Sequence, residues 1–198
     1  MRFGQPVGYS LCRGIVFPHR HHPNWFWCPS TDSPPEWTGQ VVEVFREVRS
    51  KIDSADVQGL GSDGILAEVA EGLEGIGFAV ESGKHAAQKI RRPVLFGPQG
   101  IPRVTYEVDG AHDDLGIVFE IEAGRGWMGN AFYRDLIRTS LIVGAKYLML
   151  AMMNEYRYKS WSKETTNRSY YNARDQLDAI YASGRLELPF EGVLLLGY

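Results

Sequence analysis

Two cysteines in 198 residues are too few for a disulfide scaffold and make the reducing cytoplasm the expected compartment. Basic residues are not in excess: 21 Lys and Arg stand against 24 Asp and Glu, for a net charge of −3. Proteins that coat nucleic acid non-specifically are usually basic, so this balance argues against that class. No apolar run is long enough to span a membrane, since the most apolar stretch, 141–153, is short and carries Lys146. No apolar leader opens the chain, and there are no internal repeats or low-complexity tracts. What remains is an ordinary globular composition, 44% hydrophobic and 23% charged. A chain of this length can bury roughly 70% of its unfolded surface in one core.

The near-neutral total hides a division. Between residues 82 and 106 there are five bases (Lys84, Lys89, Arg91, Arg92, Arg103) and no acid. Between 104 and 124 there are six acids (Glu107, Asp109, Asp113, Asp114, Glu120, Glu122) and no base. Charge runs are most often solvated faces, so the arrangement of these residues decides whether they are more than that.

Residues 1–40 hold six of the ten prolines and three of the five tryptophans, which predicts an irregular arm. The arm is expected to lie on the domain and bury Trp25, Phe26 and Trp27. Residues 41–198 then form a single domain. Apolar spacing predicts a helix over 39–50 (Val41, Val44, Phe45, Val48) and another over 62–77 (Ile65, Leu66, Val69, Leu73, Ile76), with Ser62 as its cap. Strands are expected at 78–81, 103–109, 115–122, 146–153 and 192–197, and helices at 130–143 and 169–182. Residues 93–102, rich in Pro and Gly, read as a link. The sum is an α/β domain with a mixed central sheet flanked by helices.

The acids gain meaning from strand alternation. Over 117–122, Ile117, Phe119 and Ile121 take one face, and Val118, Glu120 and Glu122 take the other. A four-residue turn at 113–116 has the same centre as the pair 109 and 120. That register sets Asp109 opposite Glu120, with Cβ atoms about 5 Å apart, and Glu107 opposite Glu122. Like charges facing each other destabilise a sheet, so they need compensation. A divalent cation with oxygen ligands supplies it, as do basic residues reaching in from elsewhere. An acidic hairpin screened by water is the competing reading.

Asp109 followed by Glu120-Ile121-Glu122 resembles the PD-(D/E)XK nuclease superfamily, the restriction-endonuclease-like group. The order of elements over 62–153 matches that family's helix, three-strand meander, helix and strand, and the resemblance covers about half of the chain. It implies a metal-dependent nuclease acting on DNA more than on RNA, with Mg²⁺ or Mn²⁺ held by Asp109 and Glu120. Two positions depart from the pattern: Val108 stands at the proline, and Glu122 stands at the lysine. Glu122 cannot stabilise a phosphate as lysine does, but it can ligate a second metal or orient water. The catalytic set implied is Asp109, Glu120, Glu122 and Arg125, with Asp109, Glu120 and Glu122 toward metal. A non-catalytic nucleic-acid-binding or assembly protein with a degenerate site is the alternative. The resemblance also leaves a homodimer open, and no membrane is implied as a partner.

Arg125, between Gly124 and Gly126, either neutralises the acids or holds the scissile phosphate. Arg134 and Arg138, four apart on one helix face, can form a phosphate-binding rim with Lys84, Lys89, Arg91 and Arg92. Glu68 or Glu71 could add an outer metal ligand, although a solvated helix face is preferred. Cys12, His19, His21 and Cys28 could hold a structural Zn²⁺, but the spacing fits no finger pattern, and a buried thiol with exposed histidines is the better reading. The stretch 156–163 interleaves Tyr156, Tyr158 and Trp161 with Arg157, Lys159 and Lys163, which could stack on bases, although a surface loop is the preferred reading.

Overall fold

A computed structural model describes residues 22–124 and 126–198. Its centre is a mixed six-stranded sheet in the order β1-β10-β7-β6-β5-β2. These strands are β1 (Asn24–Cys28), β2 (Ala79–Val80), β5 (Gly110–His112), β6 (Ile117–Glu122), β7 (Tyr147–Met152) and β10 (Gly192–Gly197). β6, β7 and β10 run parallel and are buried along nearly their whole length, while β1, β2 and β5 pair antiparallel at the flanks. Parallel strands need crossovers, and helices supply them. α4 (Ala131–Ser140) joins β6 to β7, and α5 (Ser169–Ser183) lies between β7 and β10.

Helices cover both faces. α1 (Glu36–Glu47), α2 (Arg49–Ile52) and α3 (Ser62–Gly75) pack Val41, Phe45, Ile65, Val69 and Leu73 onto Ile117, Phe119 and Ile121. On the other face α4 and α5 pack Phe132, Leu136, Ala173 and Leu177 onto Leu148, Leu150, Val193 and Leu195. The expected α/β architecture with a mixed, helix-flanked sheet is therefore present. Among the described residues no helix is long and apolar enough to cross a membrane.

Several local expectations are corrected. Residues 24–28 are not irregular: β1 is an edge strand paired with β10. The prolines lie outside it, at positions 23 and 29, where they remove no ladder hydrogen bond. Trp27 is buried as expected, but Trp25, two residues earlier on the same face of the strand, is 44% exposed. Gly61, not Ser62, is the N-cap of α3. The Pro/Gly-rich link at 93–102 holds part of an unexpected strand, β3 (Ile90–Phe96), which pairs with β4 (Pro102–Val108), the strand expected at 103–109, in a ribbon separate from the main sheet. Its register shifts beside Pro93, which lacks an N–H to donate. The loop at 156–163 belongs to a second ribbon, β8 (Tyr156–Ser160) with β9 (Lys163–Asn167).

Candidate metal-binding carboxylate site

β5 and β6 pair in the register expected, Gly110 with Phe119 and Ala111 with Val118. The next step outward is Asp109 and Glu120. Asp109 lies at the junction where the chain leaves the β3–β4 ribbon and enters the sheet. Its carbonyl accepts from the Glu81 N–H at 2.8 Å, extending the ladder toward β2. Its carboxylate Oδ2 accepts from the Ile121 N–H at 2.7 Å. The Asp109 side chain thus caps the ladder to β6 where backbone pairing stops.

The other expected pair does not form. β4 belongs to the ribbon, and there Glu107 faces Arg91, with Nη2 to Oε1 at 2.9 Å. The Arg91 guanidinium holds the Glu107 carboxyl below its usual range.

Alternation along β6 turns Glu120 and Glu122 away from the Phe119 core and toward α4. Glu120 is 8% exposed, and no side chain or N–H among the described residues donates to it in a hydrogen bond. Burial pushes its carboxyl well above the usual range, and the charges of Asp109, Asp135 and Glu122 add to the rise. Burial likewise raises Asp109 to about 6 and Glu122 to about 8. Two carboxylates about 5 Å apart repel by about 3 kcal/mol at an effective dielectric constant near 20. The site therefore holds protons, or a cation, more readily than separate carboxylates would.

Asp135 is the member that sequence reading missed. It is fully buried on α4 and takes a fork from Arg134, Nε to Oδ1 at 2.9 Å and Nη2 to Oδ2 at 3.3 Å. Arg134 also donates to Glu122, tying both acids to one cation. The signal was present in the sequence. Phe132, Asp135, Leu136 and Thr139 form the buried stripe of α4, and an acid on such a stripe calls for a partner.

Gly126 sets how closely the loop passes the site. A Cβ there would stand 2.8 Å from the Glu122 Cβ and 3.3 Å from the Met152 Cε, so only glycine fits. The Gly126 carbonyl then accepts from the Ala131 N–H at 2.9 Å, seating the start of α4. Arg125 lies outside the described residues, as do Cys12, His19 and His21. Cys28 is enclosed in the core, where burial pushes its thiol up to about 12.

The expected basic residues divide. Arg134 and Arg138 stand at the carboxylates, and Arg138 donates to the Glu107 carbonyl at 3.0 Å and lies over the Tyr106 ring. Lys89 is bonded to Glu81 beside Asp109. Arg91 and Arg92 are on the β3–β4 ribbon, paired with Glu107 and Asp113. Lys84 pairs with Asp63 at the start of α3, 3.3 Å away. Glu68 is bound to Lys51 at 2.7 Å, as a surface ion pair.

Among the described residues no three His, Cys, Asp or Glu side chains already close on one point as a metal cage. Asp109 and Glu122 are instead engaged by Ile121 and Arg134. The donor chemistry, carboxylate oxygens only, suits a hard cation such as Mg²⁺ or Mn²⁺.

No family model matches the chain, and no curated protein matches it. Among solved structures it is similar to one described as the crystal structure of restriction endonuclease BglII complexed with a DNA 16-mer. Identity is 12% over 89% of this chain and 78% of that chain, with a TM-score of 0.45.

Proposed function

We propose that the chain is a metal-dependent nuclease that hydrolyses DNA phosphodiester bonds. The observation that carries this reading is Glu120, a buried carboxyl with no hydrogen-bond donor among the described residues, set beside Asp109, Glu122 and Asp135. Structural acids in a core are normally paired or replaced by apolar residues. A cluster whose proton affinities are raised together is the arrangement expected of a functional site.

Asp109 and Glu120 would hold Mg²⁺ or Mn²⁺, with Glu122 assisting once it turns from Arg134. The cation would supply charge stabilisation at the phosphate and a water of lowered pKa. The chain's own residues do the rest. The Ile121 N–H fixes the orientation of Asp109. The packing of Ile117, Phe119 and Ile121 fixes the register that presents Glu120. Arg134 and Arg138 stand close enough to the acids to meet a phosphate. DNA as the substrate follows from the likeness of Asp109 and Glu120-Ile121-Glu122 to the nuclease motif.

The alternative is a nucleic-acid-binding or assembly protein without catalysis. The ion pair of Glu122 with Arg134 favours it, because it occupies the position where the family carries lysine. The deciding experiment is cleavage of plasmid and single-stranded DNA with Mg²⁺ or Mn²⁺, the native protein beside Glu120→Gln, with Mg²⁺ calorimetry on both. Cutting by the native protein alone supports the nuclease. No cutting by either, with no Mg²⁺ binding, supports the alternative.

A further inference from the structure

The β8–β9 ribbon pairs with no strand of the main sheet. Its tip is a two-residue turn between Ser160 and Lys163, and the first turn residue is Trp161 at φ 59°. Glycine or asparagine normally fills such a position, and a bulky side chain there costs about 1–2 kcal/mol. The fold returns nothing for that cost: the Trp161 residue is fully exposed and its ring meets no other described aromatic ring. An exposed tryptophan on a strained turn is therefore not explained by stability.

Its surroundings point to a ligand. Residues 156–168 carry four bases (Arg157, Lys159, Lys163, Arg168) and one acid (Glu164), in a chain whose net charge is −3. Lys159 and Lys163, which flank the tip, take part in none of the ion pairs among the described residues. Tyr156 and Tyr158 stack 5.4 Å apart at 16° on the face that also carries Lys163 and Asn167. A protein-binding surface would be apolar at its centre and poor in lysine. This tip carries one aromatic ring with a lysine on each face of the ribbon, Lys159 opposite Glu164 and Lys163 opposite Ser160, which fits a nucleobase with its phosphates.

The ribbon also stands at the right end of the sheet. β7 ends at Met152, whose register partner is Glu122, and β8 begins four residues later. A Cβ on Gly124, two residues after Glu122, would lie 3.6 Å from the Tyr156 ring. Tyr156 and Arg157 line a cleft of about 380 Å³ with Ala123, Gly124 and Met153. Five residues at about 3.3 Å each carry the tip roughly 15 Å beyond that base.

We propose that the β8–β9 ribbon is a nucleic-acid contact in which Trp161 stacks on an unpaired or displaced base while Lys159 and Lys163 hold the adjoining phosphates. This rests on the nuclease reading for its substrate class. The test is fluorescence anisotropy with labelled oligothymidylate and with duplex DNA, in EDTA so that nothing is cut. Trp161→Ala is expected to weaken oligothymidylate binding about 5- to 100-fold, whereas Trp161→Phe keeps most of it. Thermal melting should be unchanged, because the ring packs on nothing. Lys159→Ala with Lys163→Ala should reduce the slope of log affinity against log salt by about 1.4. Binding of both DNAs by Trp161→Ala as tightly as by the native protein overturns the proposal and leaves the nuclease reading standing. Failure of the native protein to bind either DNA also overturns this proposal, and the nuclease reading is then decided by the Mg²⁺ cleavage assay.

Discussion

Replacing Asp109 by Asn should make the metal-free protein more stable, although it alters a residue proposed as a metal ligand. Burial raises the Asp109 carboxyl from 3.8 to about 6. Each unit of pKa is worth about 1.4 kcal/mol, so the ceiling is about 3 kcal/mol. The residue is only half-buried, and solvent screening brings the expected gain to about 1–2 kcal/mol. Asparagine keeps an oxygen that can accept from the Ile121 N–H, so the change removes charge and little else.

The sign fixes where the effect falls. A carboxyl whose folded pKa is raised contributes stability fully below its unfolded pKa and loses it as pH rises through the folded value. The advantage of Asp109→Asn is therefore absent near pH 4, opens between about 4 and 6, and is constant above about 7. Thermal melts in EDTA at pH 4.5 and pH 8 read it directly, with a rise of about 2–8 °C at the higher pH. Saturating Mg²⁺ should then stabilise the native protein and not the variant, reversing the order. Equal stability at pH 8, or the same gain at both pH values, would refute the charge argument.

Two further changes act on Glu122. Gly126→Ala should push the Glu122 side chain out of place and lower Mg²⁺-dependent cleavage, while far-UV circular dichroism stays native; unaltered cleavage would show that the loop yields without cost. Arg134→Ala removes the cation that lowers the proton affinity of Glu122, so its carboxyl should titrate above about 8, as followed by side-chain NMR. An unmoved titration would show that the Arg134 contact does not persist in solution.

Periodicity exposed the elements that carry a long apolar face. The helices expected at 62–77, 130–143 and 169–182 and the strands expected at 115–122 and 146–153 were legible because burial writes a repeat into the sequence. The Asp109–Glu120 register was legible for the same reason, since turn length and alternation leave one alignment. The strands that were missed lack a continuous buried face. β1 exposes Trp25, and β3, β8 and β9 lie in ribbons with little core beneath them, whereas β4 matches the strand expected at 103–109. Their stability lies in pairing, which a single strand's pattern does not display. Glu107 was misplaced because the ribbon turns away from the sheet one residue before Asp109, and nothing in the alternation of 103–109 marks that departure.

β6 shows why the carboxylates stay where they are. Ile117, Phe119 and Ile121 are each no more than 3% exposed against α1 and α3, and a slip of one residue would exchange them with Val118, Glu120 and Glu122. The core thus fixes the strand, and the strand has no freedom to lift Glu120 into water. A leucine at 120 would satisfy the buried setting without a desolvation penalty, as Leu148 and Leu150 do on the neighbouring strand. The chain instead keeps an acid there, adds Asp109 across the ladder and Asp135 from α4, and balances them with Arg134. Three separate elements bring charge of one sign to one place at a cost in stability. Apolar packing on the opposite face of the sheet offsets that cost, and a cation held between the carboxylates would remove it.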